Sequence, residues 1–561
     1  MVERNIEGRS STLISVLCTL AFVVCTLLTV APLGRIPDRA IRLQTPLGTY
    51  LAGVGAWLPN TVSLTANHTA SQASTNYLEF LMLIGLAFVI YGWFALFILR
   101  LAPANKHRQM LQLIWAGALV AGLVYVFTPA MLSHDVLVYA SYSRILSVYH
   151  ANPYFVPLAA YPKDPLYHLN YWARTIAAYG PVWLDTCAFW GLIVGPQPLA
   201  YVLAFRLFAL ACHLINIWLV ITILRTMEHS PRTITLGALL YAWNPLVLLE
   251  SSLGGHNDVF MVTFILSGIL LAIRADRKES LTTPQGYLPP IIAFTLAALI
   301  KFTALPLITL FLIFLAFRVL RLSESSGQLG WRASSQRWKQ ALSTILLASI
   351  IAGIVALSLY APFWIGHSLY AIESSFTSPP SALYAENSIM RAISTWEQSH
   401  SALSNTLVSI LVNRKTWDHI SILVLAISIL AGALAMRKAP TIRNFVLASV
   451  ASLGALLIVT PWFYSWYVTW LVGLIAVCLP LKGSRTGRAM LAFVLVFSAS
   501  ALLTYLFKDG YPPFGIWTGL VFLTTIAPPI VAFLIVYFTW KSPSRASYPT
   551  RDSAYTEKVR A

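Results

Sequence analysis

Polar residues that could do chemistry lie directly beside long apolar segments of this sequence. Ser133-His134-Asp135 follows one apolar run, His256-Asn257-Asp258 follows another, and Lys301 interrupts a third, AFTLAALIKFTALPLITL. A charged side chain within apolar sequence costs about 3 kcal/mol on insertion scales, so it usually faces protein, water or an anion. A carboxylate can act as a general base, and a lysine can bind a phosphate. The pattern therefore indicates base chemistry next to a bound anion.

The segment Met131 to Tyr154 reads MLSHDVLVYASYSRILSVYHANPY. Tyr139 lies four residues after Asp135, so both side chains share one helix face. Asn152, Pro153 and Tyr154 then predict a turn that ends the helix, and Tyr179-Gly180-Pro181 predicts another break. Asp135 could simply cap the helix, and this alternative stays open beside a catalytic role.

The second polar segment, SSLGGHND, ends in His256-Asn257-Asp258. Asp258 could cap a helix N-terminus, whereas the Gly-Gly turn favours a ligand-facing corner with three polar side chains. Lys301 and Arg206 are predicted at similar depth, where two cations could bind a phosphate. Arg206 could instead extend to lipid headgroups.

An aromatic segment, TPWFYSWYVTW, spans Thr460 to Trp470. Aromatic residues are enriched at membrane interfaces, so this segment is typical of an aromatic belt. Stacked aromatic rings also bind sugars, and Trp462 and Tyr464 are therefore kept as candidate substrate contacts.

The composition is that of an integral membrane protein, because 58% of the 561 residues are hydrophobic and 10% are charged. A soluble domain has roughly 25% charged residues. We predict an all-α polytopic fold with about 14 transmembrane helices and interfacial helices in a large outer loop. The predicted spans are Thr12–Leu33, Tyr77–Leu99, Leu111–Ala130, Ala200–Leu224, Thr233–Glu250, Val259–Ile273, Tyr287–Lys301, Phe302–Leu320, Ala341–Ala361, Ile420–Met436, Asn444–Thr460, Trp466–Leu481, Ala489–Phe507 and Ile516–Trp540.

The distribution of charge predicts which side each loop occupies. Most of the 38 Lys and Arg residues fall in the short loops of one side, as does the formal net charge of +18, so this side is cytoplasmic by the positive-inside tendency. Basic residues in short loops also argue against nucleic-acid binding. The organisation is then 1–130 (first three spans), 131–199 (outer catalytic loop with an interfacial helix at Pro181–Gly195), 200–361 (core spans), 362–419 (second outer loop), 420–540 (last spans) and 541–561 (disordered cytoplasmic tail).

These motifs, in this order, resemble the GT-C glycosyltransferases, and in particular the bacterial polyprenol-phosphomannose-dependent α-1,6-mannosyltransferases. The resemblance rests on SHDVLVYASYSRILSVYHANPY, YGPVW, WNPLVLLESSLGGHND, IKFTALP and TPWFYSWYVTW, between Met131 and about Trp470. It implies that Asp135 is the catalytic acidic residue. It also implies a polyprenol-phosphate mannose donor, a glycan or glycolipid acceptor, and an extracytoplasmic active site in the plasma membrane.

For such a reaction, one carboxylate acting as general base suffices for an inverting displacement, and a retaining route needs a second carboxylate. We assign the base to Asp135, the donor phosphate to Arg206 and Lys301, and substrate contacts to His134, Tyr139, Asn152, Tyr154, Tyr179, His256, Asn257, Asp258, Trp462 and Tyr464. His256 and Asp258 could alternatively bind a divalent cation.

Two other classes of protein stay open. A polysaccharide ligase or polymerase would use outer-loop residues such as Arg391, His367 or His400. A transporter or flippase of lipid-linked sugars would carry charges within several spans and an internal repeat, which the sequence does not show.

Overall fold

The computed structural model of this chain is a bundle of α-helices. It describes residues 2–35, 70–128, 130–324, 331–399, 406–479, 484–505 and 520–540. No β-strand is found in this described part of the chain, so the predicted all-α class is confirmed. Residues 36–69 between the first two predicted spans, His400 and the predicted tail at 541–561 lie outside the described residues.

The first half of the chain contains α1 (Val2–Arg35), α2 (Ala70–Arg100), α3 (His107–Val126), α4 (Asp135–Ser147), α5 (Pro181–Val194), α6 (Pro198–Thr226), α7 (Pro231–Ala242), α8 (Pro245–Ser252), α9 (Asp258–Arg277) and α10 (Pro284–Ala298). The second half contains α11 (Leu305–Glu324), α12 (Trp331–Trp364), α13 (Leu369–Thr377), α14 (Pro380–Leu383), α15 (Ile389–Ser399), α16 (Thr406–Leu411), α17 (Arg414–Lys438), α18 (Ile442–Val459), α19 (Val468–Ala476), α20 (Arg485–Ser500) and α21 (Ala527–Thr539).

Within the described ranges, eleven helices are long and apolar enough to cross a membrane, which makes this a multi-pass membrane protein. They coincide with eleven of the about fourteen predicted spans. A twelfth predicted span, Thr233–Glu250, is broken into α7 and α8, which are bent by 50°. The break falls at Asn244-Pro245, where proline lacks the backbone N–H that would continue the helix.

The other two predicted spans are short helices. Helix α10 has 15 residues and contains Pro289 and Pro290, and α19 has 9 residues, all of them buried. At 1.5 Å per residue both are shorter than the roughly 30 Å of a hydrocarbon layer. The apolar sequence of α19 therefore reflects burial among neighbouring helices rather than a full crossing.

Helix α5 follows the prediction of a short apolar helix at Pro181–Gly195, since it ends at Val194 before Gly195 with φ +71°. One side packs against α4 and α6. The other side exposes Phe189, Leu192 and Ile193. Such a one-sided apolar surface suits a helix that lies along a membrane surface.

The N-terminal spans pack onto the broken helix through Trp243. Its ring stacks on Phe22 of α1 at 4.7 Å and on Phe94 of α2 at 5.2 Å, and its indole N–H donates to the carbonyl of Ile114. Gly117 allows this approach, because a Cβ there would lie 2.7 Å from the indole. These contacts fix the start of α8 in the core.

Helix α9 shows that the bundle has two polar ends. It begins at Asp258 and ends at Arg277, 20 residues or about 30 Å later. At its far end, Arg318 binds Asp276 at 2.5 Å and Arg277 binds Glu228. The loops rich in basic residues therefore meet on the side of the bundle opposite to Asp258.

Candidate active site

Asp135 is the first residue of α4, directly after His134, which occupies the N-cap position. The side chain of His134 makes no capping hydrogen bond. The Asp135 carboxylate instead contacts side chains from other parts of the chain. Its Oδ2 accepts hydrogen bonds from the hydroxyls of Tyr179 at 3.2 Å and Tyr139 at 3.5 Å. Asp135 thus faces a site built by tertiary contacts.

His256 lies between two carboxylates. Its Nδ1 is 3.6 Å from Oδ2 of Asp135, and its Nε2 is 3.4 Å from Oε2 of Glu250. The imidazole is 1% exposed and stacks on Trp466 at 3.9 Å. Burial alone lowers the pKa of His256, but the attraction of Asp135 and Glu250 outweighs it and raises the pKa to about 9. The two carboxylates therefore favour the protonated, cationic form of His256.

Glu250 is buried at the end of α8 and is held by other groups as well. Its Oε1 accepts hydrogen bonds from Ser465 at 2.7 Å and from Tyr505 at 2.9 Å. A buried carboxylate is costly unless it is paired and hydrogen-bonded, and Glu250 meets both conditions. Asp135, His256 and Glu250 form a connected chain from the surface of the site into the core.

A second ion pair joins Lys301 to Asp258. The ammonium lies 2.9 Å from Oδ1 of Asp258, which also accepts the indole N–H of Trp470 at 2.7 Å. Lys301 sits 4.0 Å from the ring centre of Tyr467, a cation–π contact. Burial lowers the pKa of Lys301, and the negative charges of Asp258 and Asp135 oppose this effect. The sequence prediction placed Asp258 against substrate hydroxyls, whereas both of its carboxylate oxygens contact Lys301.

A cavity of about 310 Å³ brings several predicted residues together. Its polar and aromatic lining includes Asp135, Trp172, Tyr179, Lys301, Arg414, Trp462, Tyr464, Trp466, Tyr467 and Trp470. Its apolar lining includes Phe302, Leu456 and Leu457. The site thus combines one carboxylate, cationic groups and an aromatic wall next to an apolar region.

Arg206, predicted as a phosphate ligand, is absent from this lining and is 1% exposed. Its guanidinium donates to the carbonyls of Val126, Thr128, Ala130 and Leu253, at distances between 2.5 and 3.2 Å. Four of its five N–H groups are used in this way. Arg206 therefore fixes the chain segments before Asp135 and His256, and it does not line the cavity as the prediction of a phosphate ligand required.

Asn152 and Tyr154 also lie behind the cavity. The Asn152 amide donates to the carbonyl of Phe363 at 2.6 Å and accepts the N–H of Tyr154, as in an Asx turn. The Tyr154 hydroxyl donates to the carbonyl of Tyr179 at 2.8 Å. Asn152 therefore holds Tyr154, and Tyr154 positions Tyr179. Neither Asn152 nor Tyr154 lines the cavity as the prediction of substrate contacts required.

Five other predicted substrate contacts are likewise absent from the cavity lining: His134, Tyr139, His256, Asn257 and Asp258. Tyr139 is fully buried and packs edge-on against Tyr179. The Asn257 amide is buried beneath the site and has no hydrogen-bond partner within the described part of the chain.

Several residues of the site carried no clear sequence signal. Trp172 lies in an irregular segment, and Arg414 begins α17, where it donates to Asp418 at 3.0 Å and to the carbonyl of Ser381 at 2.9 Å. Glu250 ends an apolar run, so in the sequence it looked like the polar residue at the end of a membrane span. The aromatic density of Trp466, Tyr467 and Trp470 was visible in the sequence, but the membrane-belt alternative explained it equally well.

The sequence left open a divalent-cation site and a polysaccharide ligase, and the structure places residues of both. Among the described residues, no group of three or more His, Cys, Asp and Glu side chains is arranged to hold a metal ion. Of the residues suggested for a ligase, His367 stacks on Phe155 at 3.7 Å, and neither His367 nor Arg391 lines the cavity.

A comparison with known families gives a match over residues 43–320, to the model described as "Alpha-(1->6)-mannopyranosyltransferase, N-terminal domain". The matched range contains Asp135, Glu250, His256 and Lys301 and ends before Trp462. A search of proteins with curated functions found no match. The motif resemblance and the family match agree, and the matched part of the chain, residues 43–320, belongs to the α-(1→6)-mannopyranosyltransferase family.

Proposed function

We propose that this membrane mannosyltransferase transfers mannose from a polyprenol-phosphate donor to a hydroxyl of a glycan or glycolipid acceptor. The reaction takes place on the extracytoplasmic face of the plasma membrane. The observation that supports this proposal most strongly is the shared cavity of Asp135 and Lys301, because it holds a carboxylate base and a cation in one place.

Asp135 is the general base of this reaction. A sugar hydroxyl is too weakly acidic to attack unaided, and a positioned base contributes roughly 10² to 10⁴-fold in rate. The neighbouring His256 cation favours the ionised carboxylate, and the Tyr179 hydroxyl orients it. Glu250 in turn holds the imidazole from the other side.

Lys301 binds the donor phosphate. Its ammonium has three N–H groups, and one can point into the cavity while Asp258 accepts the others. As the bond between the sugar C1 and the phosphate oxygen breaks, negative charge grows on the leaving phosphate, and a fixed cation stabilises it. The apolar side chains of Phe302, Leu456 and Leu457 suit the start of a polyprenyl chain.

The transfer is then a single displacement with inversion. The acceptor oxygen forms a bond to C1, its proton passes to Asp135, and the polyprenol phosphate departs with the electron pair of the broken bond. A retaining route needs a second carboxylate as nucleophile. Glu250 and Asp258 are each bound to a cation and to hydrogen-bond donors, and neither lines the cavity.

The distribution of charge supports the proposal that the site is extracytoplasmic. Asp258 and Lys301 lie at the end of the bundle opposite to the loops that contain Arg277 and Arg318. Basic loops stay in the cytoplasm, so the cavity opens on the other face.

The direct test uses purified protein in lipid vesicles with an oligomannoside acceptor. We expect transfer from polyprenol-phosphate [¹⁴C]mannose and none from a nucleotide-linked mannose. Transfer from the nucleotide donor, or movement of the intact lipid-linked sugar across the bilayer without cleavage, would contradict the proposal. Inversion is checked by determining the anomeric configuration of the product.

A further inference from the structure

Aromatic rings form a continuous row that starts beside the proposed base. His256 stacks on Trp466 at 3.9 Å, and Trp466 stacks on Tyr464 at 4.3 Å. Tyr464 meets Trp462 edge-on at 5.5 Å, and Trp462 meets Trp172 at 6.0 Å. The last four of these rings line the cavity. The row therefore leads away from Asp135 along one wall.

Trp172 is held firmly at the outer end of this row, although its ring is only partly buried. Its backbone N–H donates to Oδ1 of Asn170 at 2.9 Å, and its carbonyl accepts the Thr175 hydroxyl. The Asn170 amide donates at 2.8 Å to Ser141, on the helix that begins with Asp135. The position of Trp172 is thus tied to that of the base.

The position of Trp462 is fixed by backbone hydrogen bonds between its neighbours and the predicted second outer loop (362–419). The N–H of Glu386 donates to the carbonyl of Pro461 at 2.8 Å, and the N–H of Phe463 donates to the carbonyl of Glu386 at 3.0 Å. Two partly buried tryptophans, anchored from different segments and facing one cavity, form a rigid apolar surface with polar edges. Such a surface suits the C–H face of a sugar ring.

We propose that Trp172 and Trp462 form an outer acceptor subsite, which binds a hexose of the acceptor chain beyond the one that carries the attacking hydroxyl. This inference rests on the proposed transferase function and adds where the acceptor chain runs. Trp466 and Tyr464 separate the pair from His256, so a sugar at Trp172 is not the one at Asp135. The lipid-linked donor occupies the apolar lining at Phe302 and Leu456 instead.

The test compares Trp172→Ala with the wild type on two acceptors, methyl mannoside and a linear trimannoside. Loss of one stacking contact should raise KM for the trimannoside about 10-fold. KM for methyl mannoside and for the polyprenol-phosphate mannose donor should stay unchanged. Trp172→Phe should recover most of the trimannoside affinity, because it retains an aromatic face.

Trp338→Ala is the matched control, since Trp338 is 62% exposed on α12 and does not line the cavity. It should leave all three KM values unchanged. An equal rise for both acceptors, or a rise for the donor, would overturn the outer subsite while leaving transferase activity intact. Absence of transfer by the wild type would instead count against the proposed function itself.

Discussion

The charge of His256 gives a pH-dependent stability that can be worked out from the structure. Its pKa rises from 6.5 to about 9, because the attraction of Asp135 and Glu250 exceeds the cost of burial. A raised pKa stabilises the folded protein fully below pH 6.5, and this contribution disappears as the pH rises through about 9. At about 1.4 kcal/mol per pH unit, the contribution is about 3 kcal/mol.

The corresponding perturbation is His256→Gln, which keeps a polar side chain but cannot be protonated. The free energy of unfolding of the wild type and the variant is compared in detergent at pH values between 6 and 10. Subtracting the two curves removes the titration of the groups that do not interact with His256. The advantage of the wild type should shrink by about 3 kcal/mol over this range.

The control is Trp338→Ala, because Trp338 is exposed on α12 and its side chain has no titratable group. Its difference from the wild type should be the same at every pH. If the difference for His256→Gln is equally flat, then His256 does not carry a proton held by two carboxylates, and the charge assigned to the site is wrong.

Three further predictions concern buried charged side chains of the bundle. Asp258→Asn should lower the free energy of unfolding by about 3–5 kcal/mol, because it leaves the buried Lys301 ammonium without its carboxylate, and adding Lys301→Met should restore most of this loss. Lys301→Met alone should raise KM for the lipid-linked donor at least 10-fold while KM for the acceptor stays unchanged, and an unaltered donor KM would remove its phosphate role. Arg206→Met should strongly reduce the yield of monodisperse protein, because four buried carbonyls lose their donor, without altering the donor KM of the protein that folds.

The sequence predicted the convergence of distant polar residues because membrane physics restricts where they can lie. Asp135, His256 and Lys301 each follow an apolar segment, and the positive-inside tendency assigned all three to one face. The number of membrane-spanning helices was harder to predict, because an apolar segment such as α19 has the same composition whether it crosses a bilayer or is surrounded by protein.

The roles of individual side chains depended on contacts that the sequence does not encode locally. A cation in an apolar helix looks the same whether it binds a phosphate or backbone carbonyls, so the sequence did not reveal that Arg206 donates to backbone carbonyls. Asn152 and Tyr154 suggested ligand contacts but form an Asx turn and a backbone hydrogen bond. Trp172 lies in a segment without helical or alternating periodicity, so no pattern linked it to the site.

The role of Asp135 as general base is tested most directly by the turnover number of Asp135→Asn. This variant keeps the size of the side chain and its hydrogen-bonding capacity toward Tyr179 while removing the base. We expect the rate of mannose transfer to fall by about 10³-fold, while the variant still folds and binds the lipid-linked donor about as well as the wild type. Transfer by Asp135→Asn at a rate near that of the wild type would show that Asp135 is not the general base.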